Sequence, residues 1–351
     1  MQGWKQNVRE VEPYVPGEQP KDKDIIKLNT NENPYPPSPK VTGKKLELEK
    51  LRIYSDPEVT DLVNALANYH GLKSGQVFVG VGSDDVLAMS FMTFFNSDKP
   101  IFFPDITYSF YDVWAELLKI PYEPKALNDN FELVVEDYYG KNGGIVFPNP
   151  NAPTCIYMPL DKVRNILDNN RDVVVIVDEA YIDYAGESAL SLISEYDNVL
   201  VVRTFSKSRS MAGLRIGYAM GNEELIAALN SVKFSFNSYT MNYLQIVLGV
   251  ESVKDDEYFK DMIDKVKNTR EWFSGELTRL GFTYPESSTN FVFATHERVP
   301  AKEMFEAAKK EKIFMRYFEK PRIDNYLRIT IGTDDEMKRL VEFLEKYINN
   351  Y

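Results

Sequence analysis

Asp172-Val173-Val174-Val175-Ile176-Val177-Asp178-Glu179-Ala180-Tyr181 is a near-continuous apolar run that ends on two carboxylates and a tyrosine. Strands buried on both faces read this way in parallel sheets, and ligands bind beyond their carboxyl ends. A second such run closes on Val201-Val202-Arg203-Thr204-Phe205-Ser206-Lys207 and continues through Ser208-Arg209-Ser210-Met211-Ala212-Gly213-Leu214-Arg215-Ile216-Gly217. There an apolar strand gives way to a hydroxyl, a lysine and an arginine along a glycine-containing turn. Two strand ends, one with an acid and one with a lysine, mark a chemical site.

A lysine at the end of a buried strand can lose its charge through desolvation and attack a carbonyl as an amine. Ser206 and Arg215 beside it suit a phosphate, because a hydroxyl and a planar guanidinium both donate to phosphate oxygens. Aldehyde capture and phosphate capture in one loop point to pyridoxal 5'-phosphate. Asp178 can then pair with the protonated pyridine nitrogen, which makes the ring an electron sink.

The chain has 351 residues, enough for one large core and a second lobe. Its formal charge is −12, from 41 basic and 53 acidic residues, with no basic cluster. That argues against nucleic acid as a partner, since phosphate neutralisation needs clustered Lys and Arg. Cys155 is the only cysteine, so neither an internal disulfide nor a cysteine-based zinc cluster can form. His70 and His296 are too isolated for a His-based metal site. No stretch has signal-peptide or membrane-spanning character, so no membrane partner and a cytoplasmic address are expected.

Residues 1–50 are polar and proline-rich and read as an N-terminal arm joining a small domain. Residues 51–250 alternate helix and strand, which indicates a mainly parallel sheet of the seven-stranded type with right-handed crossovers, α/β in class. Helices are predicted from Val59 to Tyr69, Asp84 to Phe95 with Ser83 as N-cap, Tyr108 to Leu118, and Asp161 to Leu167. Strands are predicted from Gln76 to Gly80, Pro100 to Phe103 and Gly144 to Phe147. Residues 251–351 form a smaller α+β domain: a charged helix from Lys254 to Leu280, strands near Phe291 and Leu327, and a last helix from Asp335 to Ile348.

Gly80-Val81-Gly82-Ser83-Asp84-Asp85 imitates a dinucleotide fingerprint, but Asp85 stands where the third glycine belongs. A helix start there still suits a phosphate. The apolar run ending in Asp178-Glu179 also imitates an ATPase strand, yet no phosphate-binding loop of that class exists in the chain.

Pro13-Tyr14, Asn31-Glu32-Asn33-Pro34-Tyr35, Tyr54-Ser55-Asp56-Pro57, Tyr108-Ser109-Phe110-Tyr111, Pro148-Asn149-Pro150-Asn151-Ala152-Pro153-Thr154, the segments already quoted, and Leu327-Arg328-Ile329-Thr330-Ile331-Gly332 resemble the fold type I aminotransferases over nearly the whole chain. Within these, they resemble the histidinol-phosphate aminotransferase family. The resemblance implies Lys207 as the amine that holds the cofactor aldehyde, Asp178 as partner of the pyridine nitrogen, and Tyr181 as donor to the ring phenolate oxygen. It implies Ser206, Arg215 and Thr204 as cofactor contacts, with Ser83 and Asp84 at the helix start and Tyr108 against the pyridine ring. Tyr54 resembles a tyrosine that reaches the phosphate of the other subunit, so a homodimer with shared sites is implied. Tyr14, Asn33, Arg316 and Arg328 resemble substrate contacts. Two positions depart from the family pattern. Ala152 stands where asparagine is usual, with Asn151 as its substitute, and Cys155 stands where glycine is usual.

The expected reaction is transfer of an amino group from a small-molecule donor, histidinol phosphate by resemblance, to the 2-oxo acid 2-oxoglutarate, as a step in histidine biosynthesis. A threonine-phosphate decarboxylase, a broad aromatic aminotransferase and a non-enzymatic binder on the same fold stay open at this point.

Overall fold

The computed structural model describes residues 3–21 and 24–351. From the arm, strand β1 (Ile26–Lys27) joins the C-terminal part of the chain. Seven strands then form the main sheet: β2 (Val77–Gly80), β3 (Ile101–Pro104), β4 (Tyr122–Lys125), β5 (Gly144–Pro148), β6 (Val175–Asp178), β7 (Val199–Thr204) and β8 (Gly217–Gly221). Their spatial order is β2-β8-β7-β6-β5-β3-β4. From β7 to β4 every pair is parallel, whereas β8 runs antiparallel to both of its neighbours.

The apolar run explains the position of β6. Val175 and Val177 face one buried cluster with Phe147 and Val201, while Ile176 faces another with Val146, Leu200 and Val202. Each of these side chains is fully buried, a gain of about 1.5–3 kcal/mol apiece over exposure. Register then aligns Pro148, Asp178 and Val202 at the carboxyl ends of three adjacent strands.

Beyond the main sheet, β9 (Phe282–Thr283), β10 (Phe291–His296), β12 (Arg316–Tyr317) and β13 (Leu327–Thr330) make an antiparallel sheet in the order β12-β13-β10-β9; β11 (Ile313–Phe314) pairs with β1. Helix Asp256–Arg279 covers it with Phe259, Ile263, Val266, Phe273 and Leu277, spaced to share one face. Helix Asp334–Asn350 adds Met337, Leu340, Leu344 and Ile348, and starts on a capping box between Thr333 and Glu336. Ile26 and Leu28 of the arm belong to this same cluster.

Several predicted bounds move. Ser83 is the first helical residue rather than the N-cap; Gly82 precedes it with φ +88° and no side chain caps the helix Ser83–Phe94. The charged helix begins at Asp256, because Lys254 and Asp255 separate it from an unforeseen helix, Tyr243–Val253. Strands β4 and β8 and helix Glu223–Phe236 are likewise additions. Among the described residues no helix is long and apolar enough to cross a membrane, and no His/Cys/Asp/Glu group could hold a metal ion.

Candidate active site

A cavity of about 450 Å³ opens at the carboxyl ends of β5, β6 and β7, lined there by Pro148, Asp178 and Thr204. Arm residues and the antiparallel sheet supply its other walls.

Asp178 forms the floor. Its carboxylate accepts from the Tyr111 hydroxyl at 2.9 Å and from the Ala180 backbone N–H at 3.2 Å. Burial lifts its pKa from the ordinary range to about 6. No lysine or arginine pairs with it among the described residues, so it is an acid in want of a cation. Lys207 is half-buried in the same cavity, with Nζ donating to the Thr30 carbonyl at 3.2 Å and lying 5.7 Å from the centre of the Tyr181 ring.

Phosphate chemistry collects on one wall. Arg215 donates to the Ser206 hydroxyl at 3.1 Å, and the Thr204 hydroxyl donates to Ser206 at 2.9 Å. The uncapped start of helix Ser83–Phe94 abuts them. A Cβ on Gly82 would stand 2.4 Å from the Arg215 guanidinium, and one on Gly217 would stand 2.2 Å from the Ser83 nitrogen. Only glycine permits this close approach. Free N–H groups, two hydroxyls and a guanidinium make an anion cradle. Asp84 does not itself face an anion: its carboxylate accepts from Tyr108 at 2.7 Å and from Arg215 at 3.1 Å, and so holds both side chains in place. Burial, with Asp84 beside it, keeps the Tyr108 hydroxyl protonated far above its usual range.

Arg316 and Arg328 form the opposite wall. They are cross-strand partners on β12 and β13. Arg328 donates to the Asn29 carbonyl at 2.9 Å, but its buried Nε has no partner. Burial pulls its pKa below the ordinary arginine value. No carboxylate pairs with either arginine among the described residues. Two like charges directly opposite repel, and a bound anion between them relieves that repulsion.

The arm crosses between these walls. Asn29 meets Arg328 and Thr30 meets Lys207. Asn31 donates through Nδ2 to the Tyr181 hydroxyl at 2.8 Å. The sequence marked this stretch as an extended proline-rich arm and a resemblance motif without assigning Asn29, Thr30 or Asn31 a role, and Tyr111 was missed as the hydroxyl on Asp178.

Twelve of the expected site residues line the cavity: Tyr14, Ser83, Asp84, Tyr108, Asp178, Tyr181, Thr204, Ser206, Lys207, Arg215, Arg316 and Arg328. Three do not. Asn33 instead donates to the Ser208 carbonyl at 3.2 Å and accepts from the Tyr35 backbone N–H at 3.0 Å. Asn151 spends its amide on Ile106, Thr154 and Thr107, each at 2.9 Å, so the substitute offered for the missing asparagine is turned away. Tyr54 is 81% exposed and stacks near Tyr239 on the outer surface. Cys155 adopts the left-handed conformation of a glycine, φ +61°, fully buried, with burial pushing its thiol up to about 12.

The cavity therefore suits a group with an anion at one side, an electrophilic carbon at Lys207 and a cationic ring nitrogen at Asp178, and it leaves an anion-seeking wall for a second molecule. A family model described as "Aminotransferase class I and II" matches residues 23–344. Over 348 residues the chain is 49% identical to a histidinol-phosphate aminotransferase of Clostridium botulinum (strain Okra / Type B1), covering 99% of this chain and 98% of that one. It is 52% identical over 345 residues to the histidinol-phosphate aminotransferase of Clostridium acetobutylicum, covering 98% and 97%. The crystal structure of histidinol-phosphate aminotransferase from Sinorhizobium meliloti in complex with pyridoxal-5'-phosphate matches with a TM-score of 0.84 at 23% identity, covering 93% of this chain and 92% of that one. With that fold, this lysine-centred cavity and a family match over nearly its whole length, the chain belongs to the class I and II aminotransferases.

Proposed function

We propose that the protein transfers the amino group of histidinol phosphate to 2-oxoglutarate with pyridoxal phosphate as cofactor, as a step in histidine biosynthesis. The observation that carries this reading is a single cavity lined by Lys207, by Asp178 and by the cross-strand pair Arg316 and Arg328, in which neither the acid nor the arginines have an ion-pair partner among the described residues.

When bound, pyridoxal phosphate supplies a carbonyl for the substrate amine and a sink for the electron pair left at the substrate α-carbon. Asp178 holds the proton of the ring nitrogen. Ser206, Thr204, Arg215 and the helix start at Ser83 hold the phosphate, with Asp84 fixing Arg215 and Tyr108. Lys207 Nζ would take the proton from the substrate α-carbon and deliver it to the aldehyde carbon of the cofactor, on the other side of the transferred nitrogen. Arg316 and Arg328 would grip the phosphate of histidinol phosphate in one half of the cycle and the carboxylates of glutamate in the other. Tyr14, on the arm and stacked on Phe110 at 4.1 Å, closes that side of the cavity against water. On this reading residues 51–250 carry the cofactor, residues 251–351 carry the substrate grip, and residues 1–50 link the two.

A second copy of the chain completes the site. Leu48, Leu51, Ile53 and Tyr54 are exposed, as are Phe234, Phe236 and Tyr239, and the two groups meet where the Tyr54 and Tyr239 rings lie 4.6 Å apart. An apolar surface of that kind supports a homodimer in which Tyr54 reaches the neighbouring phosphate.

The test is a half-reaction screen on the cofactor-loaded protein. Histidinol phosphate should convert the visible band to that of the aminated cofactor, and 2-oxoglutarate should restore it with release of glutamate. Faster conversion by phenylalanine, or carbon dioxide from threonine phosphate, overturns the assignment in favour of an aromatic aminotransferase or a decarboxylase.

A further inference from the structure

Asn31 is buried, 1% exposed, in the left-handed conformation with φ +58°. That backbone costs most residues about 1 kcal/mol or more, asparagine being among the few that accept it. Its polar groups are fully committed. The backbone N–H donates to the Thr330 hydroxyl at 3.0 Å, and its carbonyl accepts from Asn290 at 3.0 Å. The Thr330 hydroxyl, already an acceptor, gives its single proton to Asn31 Oδ1 at 3.0 Å. This orients the amide, because Oδ1 must face Thr330 and Nδ2 must face Tyr181.

The Tyr181 hydroxyl has no other hydrogen-bond partner among the described residues. Ala152, which lines the same cavity, offers no donor, and Asn151 is turned away. We propose that Asn31 is a positioning residue for Tyr181: its amide proton fills a lone pair on the tyrosine oxygen and so directs the tyrosine's own proton into the cavity, at the ring oxygen of pyridoxal phosphate. The inference rests on the cofactor reading above. Phe291 packs edge-on against the Tyr181 ring at 5.2 Å and stops it from swinging away. The charged and titratable groups around Tyr181 include Lys207, Arg328 and Tyr184, with Asp178 and Glu32 lining the same cavity; none of these is altered in the variants below.

A donor aimed at an oxygen anion stabilises the anion and lowers the pH at which the bound group gives up its proton. Wild type, Asn31→Asp, Asn31→Gly and Tyr181→Phe, each loaded with pyridoxal phosphate, are titrated by absorbance. Asn31→Asp keeps the shape but reverses the polarity, since a carboxylate accepts the tyrosine proton. Asn31→Gly keeps the backbone conformation without the amide. The midpoint of the visible band should rise by about one pH unit in all three variants. Combining Asn31→Gly with Tyr181→Phe should add nothing to Tyr181→Phe alone, and adding Ala152→Asn to Asn31→Gly should bring the midpoint back. A merely structural Asn31 lowers thermal stability and leaves the midpoint in place. The proposal is overturned if Tyr181→Phe shifts the midpoint while both Asn31 variants match wild type. A wild-type protein that takes up no cofactor sinks the cofactor reading and this inference with it.

Discussion

The two walls of the cavity are built to opposite plans. The floor rests on β6 and β7, strands buried on both faces, and carries an acid that burial holds at about pKa 6, with no lysine or arginine paired to it among the described residues. The far wall rests on two short antiparallel strands and carries two arginines with no carboxylate ion-paired to them among the described residues. Neither wall is balanced alone, and each lacks the charge that one end of a bound molecule brings. Rigidity also divides: the reacting lysine sits on the strands that the core fixes, the grip on strands that need only hold an anion.

Lys207→Ala strikes the floor at its centre and should have the largest effect. Turnover of histidinol phosphate falls at least about 10⁴-fold, because both covalent capture and proton transfer are lost. Lys207 is half-buried with one hydrogen bond to backbone, so unfolding free energy should stay within about 0.5 kcal/mol of wild type. Single-turnover kinetics beside a denaturation curve check this; a protein that keeps its rate without the lysine moves the chemistry off the floor altogether.

Asp178 makes the floor's deficit measurable without substrate. Its folded pKa lies above its unfolded one, so the folded state binds the proton more tightly. The stabilisation is complete below about pH 4 and is lost as pH rises through about 6, a change of about 3 kcal/mol in the cofactor-free protein. Urea denaturation across that window should show the decline, and Asp178→Asn should flatten it. Pyridoxal phosphate should flatten it too, because a ring cation supplies the missing partner. A wild-type profile with no decline shows that Asp178 is already compensated.

Arg328→Ala tests the far wall. Its removal should raise the KM for histidinol phosphate about 10²-fold with a smaller change in kcat, the pattern of lost binding rather than lost chemistry. Arg328→Lys restores the charge without the planar fork and should recover only about a tenth of the affinity. Equal losses in kcat and kcat/KM would make the grip part of the chemical step and blur the division between the walls.

The same division shows in what the amino-acid order made legible. The floor could be read because apolar runs are local: Val175 to Asp178 and Val199 to Thr204 announce buried strands, and the groups that follow them announce the site. Strand β4 could not, since Tyr122-Glu123-Pro124-Lys125 is a half-exposed edge with a proline in it. Strand β8 is glycine-flanked and only five residues long, and its place depends on Gly217 fitting against the helix start at Ser83. Tyr111 on Asp178 and Asn31 on Tyr181 join residues 67 and 150 positions apart, and no periodicity reports such pairs. Asn151 failed as a substitute because its amide is consumed within its own turn and by Thr107.

Arg316→Gln gives the smallest effect and the sharpest one. Cross-strand like charges destabilise by about 0.2–1 kcal/mol, so the ligand-free protein carries a small strain that an anion removes. The guanidinium of Arg316 also lies 5.4 Å from the Phe318 ring, a contact the substitution gives up. Net stability in one buffer therefore mixes two terms of similar size. Salt separates them, because screening weakens repulsion between charges that reach solvent, and both arginines here are half-buried, so the effect is a fraction of a kcal/mol. Wild-type stability should rise from low to moderate salt by about 0.5 kcal/mol more than that of Arg316→Gln. Inorganic phosphate, which binds the folded pair, should stabilise wild type more than Arg316→Gln at equal ionic strength. Matching curves for the two proteins would mean that Arg316 and Arg328 do not share an anion, and the far wall would then be one arginine deep.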